Sequence, residues 1–172
     1  MTFEAIVHRK IPDLVRFAAE DVLRREMNDL AGIDRAELWT FEVEGDGGDD
    51  VGRVLEETTL VVNPNIHRYH LREHGDGTGT VRRPDGAESR ITVRVTDRVD
   101  AKGRAVTRAI RERRGLTDVQ KVTCSVLWTV DLAAPVAEAE SAARTMVGEV
   151  ERGAGLLANP HSQEIEWSVE AL

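Results

Sequence analysis

The 172-residue chain has a single cysteine, Cys124. One thiol cannot form an intramolecular disulfide, and such a chain suits a reducing cytoplasm. Aromatic residues are scarce: three Trp, three Phe and one Tyr. No apolar run approaches the roughly 20 residues that a membrane-spanning helix requires. The opening MTFEAIVHRK lacks the apolar core of a signal peptide. The expectation is a cytoplasmic protein without a membrane partner. Basic residues are the minority, 23 Lys and Arg against 31 Asp and Glu, for a net charge of −8. Neutralising phosphates takes clustered cations, so no nucleic-acid partner is expected. At 41% hydrophobic the chain can fill one proper core. Two independent halves of about 80 residues would each be marginal and would need each other.

What is present is a repeat. LVVNPNIHRYHL at 60–71 is echoed by LLANPHSQEIEW at 156–167. Leu38-Trp39-Thr40 returns as Leu127-Trp128-Thr129, 89 positions later, and Asn63-Pro64 returns as Asn159-Pro160, 96 later. Opening strands at Phe3 and Ile91 are 88 apart. Three landmarks in one order at nearly one separation predict two copies of a common unit.

The second copy reads clearly. RITVRVT alternates, with Ile91, Val93 and Val95 on one face. The next segment predicts a helix with a stripe of Ala101, Ala105, Val106, Ala109 and Ile110, stopped by Gly115. VQKVTCSVLWTVDL at 119–132 is a strand with Val122, Cys124, Val126, Trp128 and Val130 inward, long enough to behave as two. Pro135 opens a further helix with Val136, Ala139, Ala143, Met146, Val147 and Val150 as its buried stripe and a frayed end at Gly153 and Gly155. Ile165, Trp167 and Val169 alternate with acidic residues in a closing strand. The first copy follows suit. FEAIVH is a strand, and Pro12-Asp13 starts a helix carrying Leu14, Val15, Ala18, Val22 and Leu23. A strand covers 35–44, a short helix lies within 49–62, and a last strand covers 66–73.

Each copy thus reads strand–helix–strand–helix–strand, at 1–74 and 90–172, joined by a Gly- and charge-rich linker at 75–89. The predicted class is α+β, two tandem ferredoxin-like antiparallel sandwiches forming a pseudo-dimer. A small sheet covered by helices on one side needs a partner for its other face, and each half can supply one to the other.

The stretch RVDAKGRAVTRAIRERRGLTDVQKV, then a long strand, an acidic helix, LLANP and a terminal EIEWSVE resembles the PurS family. That family is the small subunit of phosphoribosylformylglycinamidine synthase in purine biosynthesis. The resemblance rests on Asp100, Gly103, Ala105 and Val106, and on Leu156-Leu157-Ala158-Asn159-Pro160. It covers roughly 90–170; residues 3–73 look like a degenerate copy that keeps Asn63-Pro64 but lacks the Asp-x-x-Gly-x-Ala-Val stretch. It implies a non-catalytic, PurS-like adaptor, a tandem fusion bridging a PurL-like synthetase and a PurQ-like glutaminase subunit. Such a complex makes an amidine using ATP and glutamine-derived ammonia, in purine synthesis or a paralogous pathway. Fusing two modules raises their effective concentration.

No constellation of catalytic residues stands out. His67, His70 and His74 could suggest a metal site, but His67 and His70 project to opposite faces of a strand, and His70 and His74 share one only if the strand continues that far; His8 and His161 are isolated. Glu42, Glu44, Asp46, Asp49 and Asp50 cluster at one solvated loop, which offers no contrast of environments for acid–base work. Neither GDGGDD nor GDGTGT sits in a phosphate-loop context. No cofactor and no metal is expected. Lys102, Arg104, Arg108, Arg111, Arg113 and Arg114 surround one helix. They are either a solvated face or a docking face for an acidic partner. With the resemblance, the candidate docking residues are Asp100, Gly103, Arg104, Arg108 and Arg111, with the turns at Asn63-Pro64 and Asn159-Pro160. The alternative is a regulatory module holding a small ligand between the two repeats.

Overall fold

A computed structural model describes residues 1–45, 47–74, 82–149 and 155–172. The fold is α+β, with one six-stranded antiparallel sheet and four α-helices among the described residues. In chain order these are β1 (Thr2–Arg9), α1 (Leu14–Glu26), β2 (Leu30–Val43), α2 (Gly48–Glu57), β3 (His67–Glu73), β4 (Ser89–Asp97), α3 (Ala101–Ala109), β5 (Val119–Leu132), α4 (Val136–Val147) and β6 (Gln163–Ala171). The sheet order is β3-β1-β2-β5-β4-β6. Within each run of three strands the third pairs with the first, and the second lies on the first strand's other side. No helix among the described residues is long and apolar enough to cross a membrane.

The two hairpin-like pairings share one register. Phe3 faces Glu73 and Arg9 faces His67; Ile91 faces Val169 and Asp97 faces Gln163. These are the offsets of 88 and 96 read from the sequence. The turns before β3 and β6 also coincide bond for bond. The amides of Ile66 and His67 donate to the Asn63 carbonyl at 3.1 and 2.8 Å, and those of Ser162 and Gln163 to that of Asn159 at 3.1 and 2.9 Å. The Asn63 and Asn159 side chains accept from Asn65 and His161 N–H. Lys10 and Arg98 donate to the Pro64 and Pro160 carbonyls. Pro at the second position of each turn presets its φ, and Asn supplies the Asx bond that closes it.

The compact units of the chain draw on both copies. One comprises Met1–Pro12, Ala36–Gly79 and Val99–Ser125; the other comprises Asp13–Arg35, Thr80–Arg98 and Val126–Leu172. In the first, Ala5, Val7, Trp39, Phe41, Val51 and Val54 share a core with Val106, Ile110, Leu116, Val119 and Val122 of the second copy. In the other, Ile91, Val93, Trp128, Val130, Ala143 and Met146 share a core with Leu23, Leu30 and Ile33 of the first. The long strands make this possible, because each of β2 and β5 has 14 residues divided between the two units. Their ends are tied reciprocally: Glu44 N–H donates to the Asp118 carbonyl at 2.9 Å, and Ala133 N–H to that of Asp29 at 2.8 Å.

Several local expectations need correction. In α1 the residues Leu14, Val15, Ala18 and Val22 are exposed, and the helix is buried through Ala19, Leu23 and Met27 instead. Its rotation is set at Asp13, which caps the helix by accepting from Val15 and Arg16 N–H and also binds Arg35 at 2.9 Å. In α3, Ala101 and Ala105 are exposed, and Gly103, Val106 and Ile110 form the buried stripe. A π-helical turn at Ile110–Arg114 follows, closed by Gly115 at φ 66°, as the sequence predicted. Helix α4 stops at Gly148, φ 79°, five residues before Gly153. Both glycines hold the left-handed conformation that other residues resist. Strand β2 begins at Leu30 rather than 35, and α2 is confined to Gly48–Glu57, with Val61 and Val62 buried beyond it. Asp46, Val150, Gly153 and linker residues 75–81 lie outside the described residues.

Because each core is completed from the other copy, neither copy contains a whole one. Residues 1–74 or 90–172 produced alone are expected to show no cooperative monomeric unfolding transition by circular dichroism in urea. Each buried apolar side chain contributes roughly 1.5–3 kcal/mol, against a total stability of about 5–15 kcal/mol for a domain. Gly103 tests the packing of α3. A Cβ there would collide with the Asp100 carboxylate and the Val122 carbonyl. Gly103→Ala is expected to destabilise the chain by roughly 1–3 kcal/mol, read as a lower urea midpoint at constant slope.

Candidate docking surfaces

Helix α3 is clamped to β5 by its own cap. Asp100 Oδ1 accepts from Gly103 N–H at 2.7 Å, and Oδ2 accepts from Cys124 N–H at 2.8 Å. Thr107 Oγ1 donates to the Gly103 carbonyl and accepts from Val122 N–H, each at 2.9 Å. Asp100 and Gly103 therefore hold the helix in place, and Gly103 is buried. The outward members of the predicted set are Arg104, Arg108 and Arg111, all exposed and spaced i, i+4, i+7. Among the described residues none of the three has an ion-pair partner. Lys102 differs: it binds Glu37 at 2.7 Å and lies 4.8 Å from the centre of the Trp39 ring. Like charges three and four residues apart on a helix repel by a few tenths of a kcal/mol per pair. An acidic partner surface would remove that cost. The side chains of Arg113 and Arg114 are outside the described set.

The corresponding helix of the first copy is different in kind. On α1 the outward residues are Leu14, Val15, Phe17, Ala18 and Val22, with Leu14 77% and Val15 55% exposed. Arg16 stacks 4.2 Å from the Phe17 ring centre. Aligned on their capping aspartates, Asp13 and Asp100, Phe17 stands where α3 has Arg104, and Val15 where it has Lys102. One helix thus shows solvent an apolar face and the other a basic one. Leu14, Val15, Ala18 and Val22 are as apolar as the buried Leu23, and the same helix carries the Arg16–Glu20 and Arg24–Glu20 ion pairs.

The predicted turns are distributed between the units. Asn63-Pro64 belongs with α3, and Asn159-Pro160 with α4. His67 is drawn into the first turn, its Nδ1 accepting from Asn63 N–H at 3.2 Å. Gln163 takes the same place in the second, its Oε1 accepting from Asn159 N–H at 2.7 Å. Among the described residues no group of three His, Cys, Asp or Glu side chains is placed to hold a metal ion.

Two buried charge clusters escaped the sequence reading. Glu4, 2% exposed, accepts from Arg72 Nε and Nη2 at 2.9 and 2.6 Å and sits 2.9 Å from His74 Nδ1. Arg90 grips Asp131 with Nε and Nη2 at 2.7 and 3.1 Å, both side chains buried. The signal was present in part, since Glu4 and Arg72 occupy polar positions on an opening and a closing strand. Only the register of β1 on β3 brings them face to face. Burial pushes the Glu4 carboxyl upward, but the hydrogen bonds and charges of His74 and Arg72 outweigh it and hold it below its ordinary value. Asp13 is likewise pushed up by burial and brought lower overall by Arg35 and the amides of Arg16 and Val15.

A carboxylate held low when folded binds protons more weakly than when unfolded. Stability is then fully present above the unfolded pKa and lost as pH falls through the folded one. In chemical denaturation the contribution of Glu4 and Asp13 is expected to stay level down to about pH 5 and to decline below about pH 4.5, where free Asp and Glu titrate. Glu4→Gln should flatten part of that decline.

Compared with protein-family models, curated proteins and solved structures, the chain matches none.

Proposed function

We propose that the chain is a non-catalytic adaptor, built as two tandem ferredoxin-like, PurS-like repeats that form a pseudo-dimer in the cytoplasm. Its partners would be the synthetase and glutaminase subunits of a phosphoribosylformylglycinamidine synthase or a related ATP-dependent amidine-forming complex. The observation that carries the reading is the shared register of the β1–β3 and β4–β6 pairs, with the same Asn-Pro turn before each third strand. A duplicated scaffold of this kind presents two versions of each surface. Here the versions have diverged: the outer face of α1 is apolar, and that of α3 carries Arg104, Arg108 and Arg111.

Such divergence suits a protein that holds two different partners. A single partner bound twice would favour two matching faces. Helix α3 offers an acidic surface long-range attraction and orientation, an effect that weakens as salt shortens the Debye length. The apolar face of α1 offers a partner burial that salt does not screen. The resemblance of residues 90–170 to PurS supplies the identity of the complex.

The test is reconstitution with the two enzyme subunits. Glutamine-dependent amidine formation is expected only when this chain is present, and it should co-elute with both subunits. R104E/R108E/R111E should lower capture of one subunit about tenfold at low salt, and V15E/V22E should lower capture of the other. Full glutamine-dependent activity without the chain would remove the adaptor reading.

A further inference from the structure

Among the described residues the two outer strands of the sheet, β3 and β6, pair on one side only. Each leaves a row of main-chain donors and acceptors that can accept another strand. The two edges are equivalent by register: Arg72 faces Glu4 across β1 just as Ser168 faces Thr92 across β4. Their core-facing residues are alike, with Tyr69 and Leu71 on β3 and Ile165 and Trp167 on β6. Their other faces carry opposite character. Arg68 and His70 on β3 stand where β6 has Glu164 and Glu166.

These side chains are available. Arg68, His70, Glu164 and Glu166 are all exposed. Among the described residues neither Arg68 nor Glu164 joins an ion pair. Glu166 is 79% exposed and approaches Arg94 only to 3.8 Å.

We propose that the β3 edge of one molecule adds to the β6 edge of a second copy of this chain, joining molecules head to tail through their sheets. Charge decides which edges meet. Pairing β6 with β6 would set Glu164 and Glu166 against the same residues, and pairing β3 with β3 would set Arg68 near its copy. Only β3 with β6 places opposite charges on neighbouring strands, where directly opposed side chains interact best. Charges that merely guard an edge against aggregation can be of either sign, the same at both ends. Here the character reverses at equivalent positions of a duplicated unit. The contact is heterologous, so each molecule uses both edges and association proceeds until a ring closes or a filament grows. This inference is independent of the adaptor reading.

Sedimentation velocity on the full chain tests it. The average mass is expected to rise with protein concentration and fall with added NaCl. R68E/H70E makes both edges acidic, and E164R/E166R makes both basic. Each variant alone is expected to associate at least tenfold more weakly than the parent chain. An equimolar mixture should recover the parent's mass, because acidic edges then meet basic ones. R68E/H70E/E164R/E166R in one chain should also recover it, which separates lost contact from lost folding. A parent chain that stays monomeric over the concentration range overturns the proposal. So does association that survives both paired variants unmixed, or a mixture and charge-swapped chain that fail to recover it.

Discussion

The constraint on which the structure depends is the length of β2 and β5. Each strand contributes residues to two compact units, and each carries its copy's first helix into the unit that holds the other copy's outer strands. Val106 and Ile110 of α3 therefore bury beside Trp39 and Phe41, and Leu23 of α1 buries with Ile91 and Trp128. Apolar burial is the main favourable term in folding. When it is divided in this way, neither copy has a complete core of its own.

That exchange also explains where the buried charges can be tolerated. Glu4 with Arg72 and Arg90 with Asp131 are on strands whose opposite faces are filled by core residues. A carboxylate taken out of water needs a close, well-aligned cation and further hydrogen bonds. The guanidinium forks supply both. Such pairs specify how strands align more than they add net stability, because a register slip of one residue would strand each charge without its partner. In the first copy the arrangement includes His74, next to the linker. The equivalent positions in the second copy hold Thr92, Ser168 and Glu170, so the two copies have diverged at this face as they have on their helices.

The two copies diverge on a common backbone. Turns, strand registers and capping aspartates are kept in both copies, whereas the outward residues of α1 and α3, and of β3 and β6, differ in character. Interior positions are constrained by packing, but exposed ones are free to be adapted to what they meet.

Much of this was legible in the residues themselves. Period-two alternation in RITVRVT and around Trp128, the stop at Gly115 and the paired Asn-Pro turns each reflect local conformational energetics, so sequence alone determined the element order and the repeat. It could not determine which face of α1 is buried. Leu14, Val15 and Val22 are as apolar as Leu23, and the choice among them was made by the cap at Asp13 and its bond to Arg35, a residue 22 positions away. Nor could it reveal the exchange between copies or the meeting of Glu4 with Arg72, 68 positions apart. Those depend on which strands become neighbours, and that is decided by the whole set of long-range contacts at once. A local pattern records how far a side chain is willing to be buried, and only the tertiary structure selects what buries it.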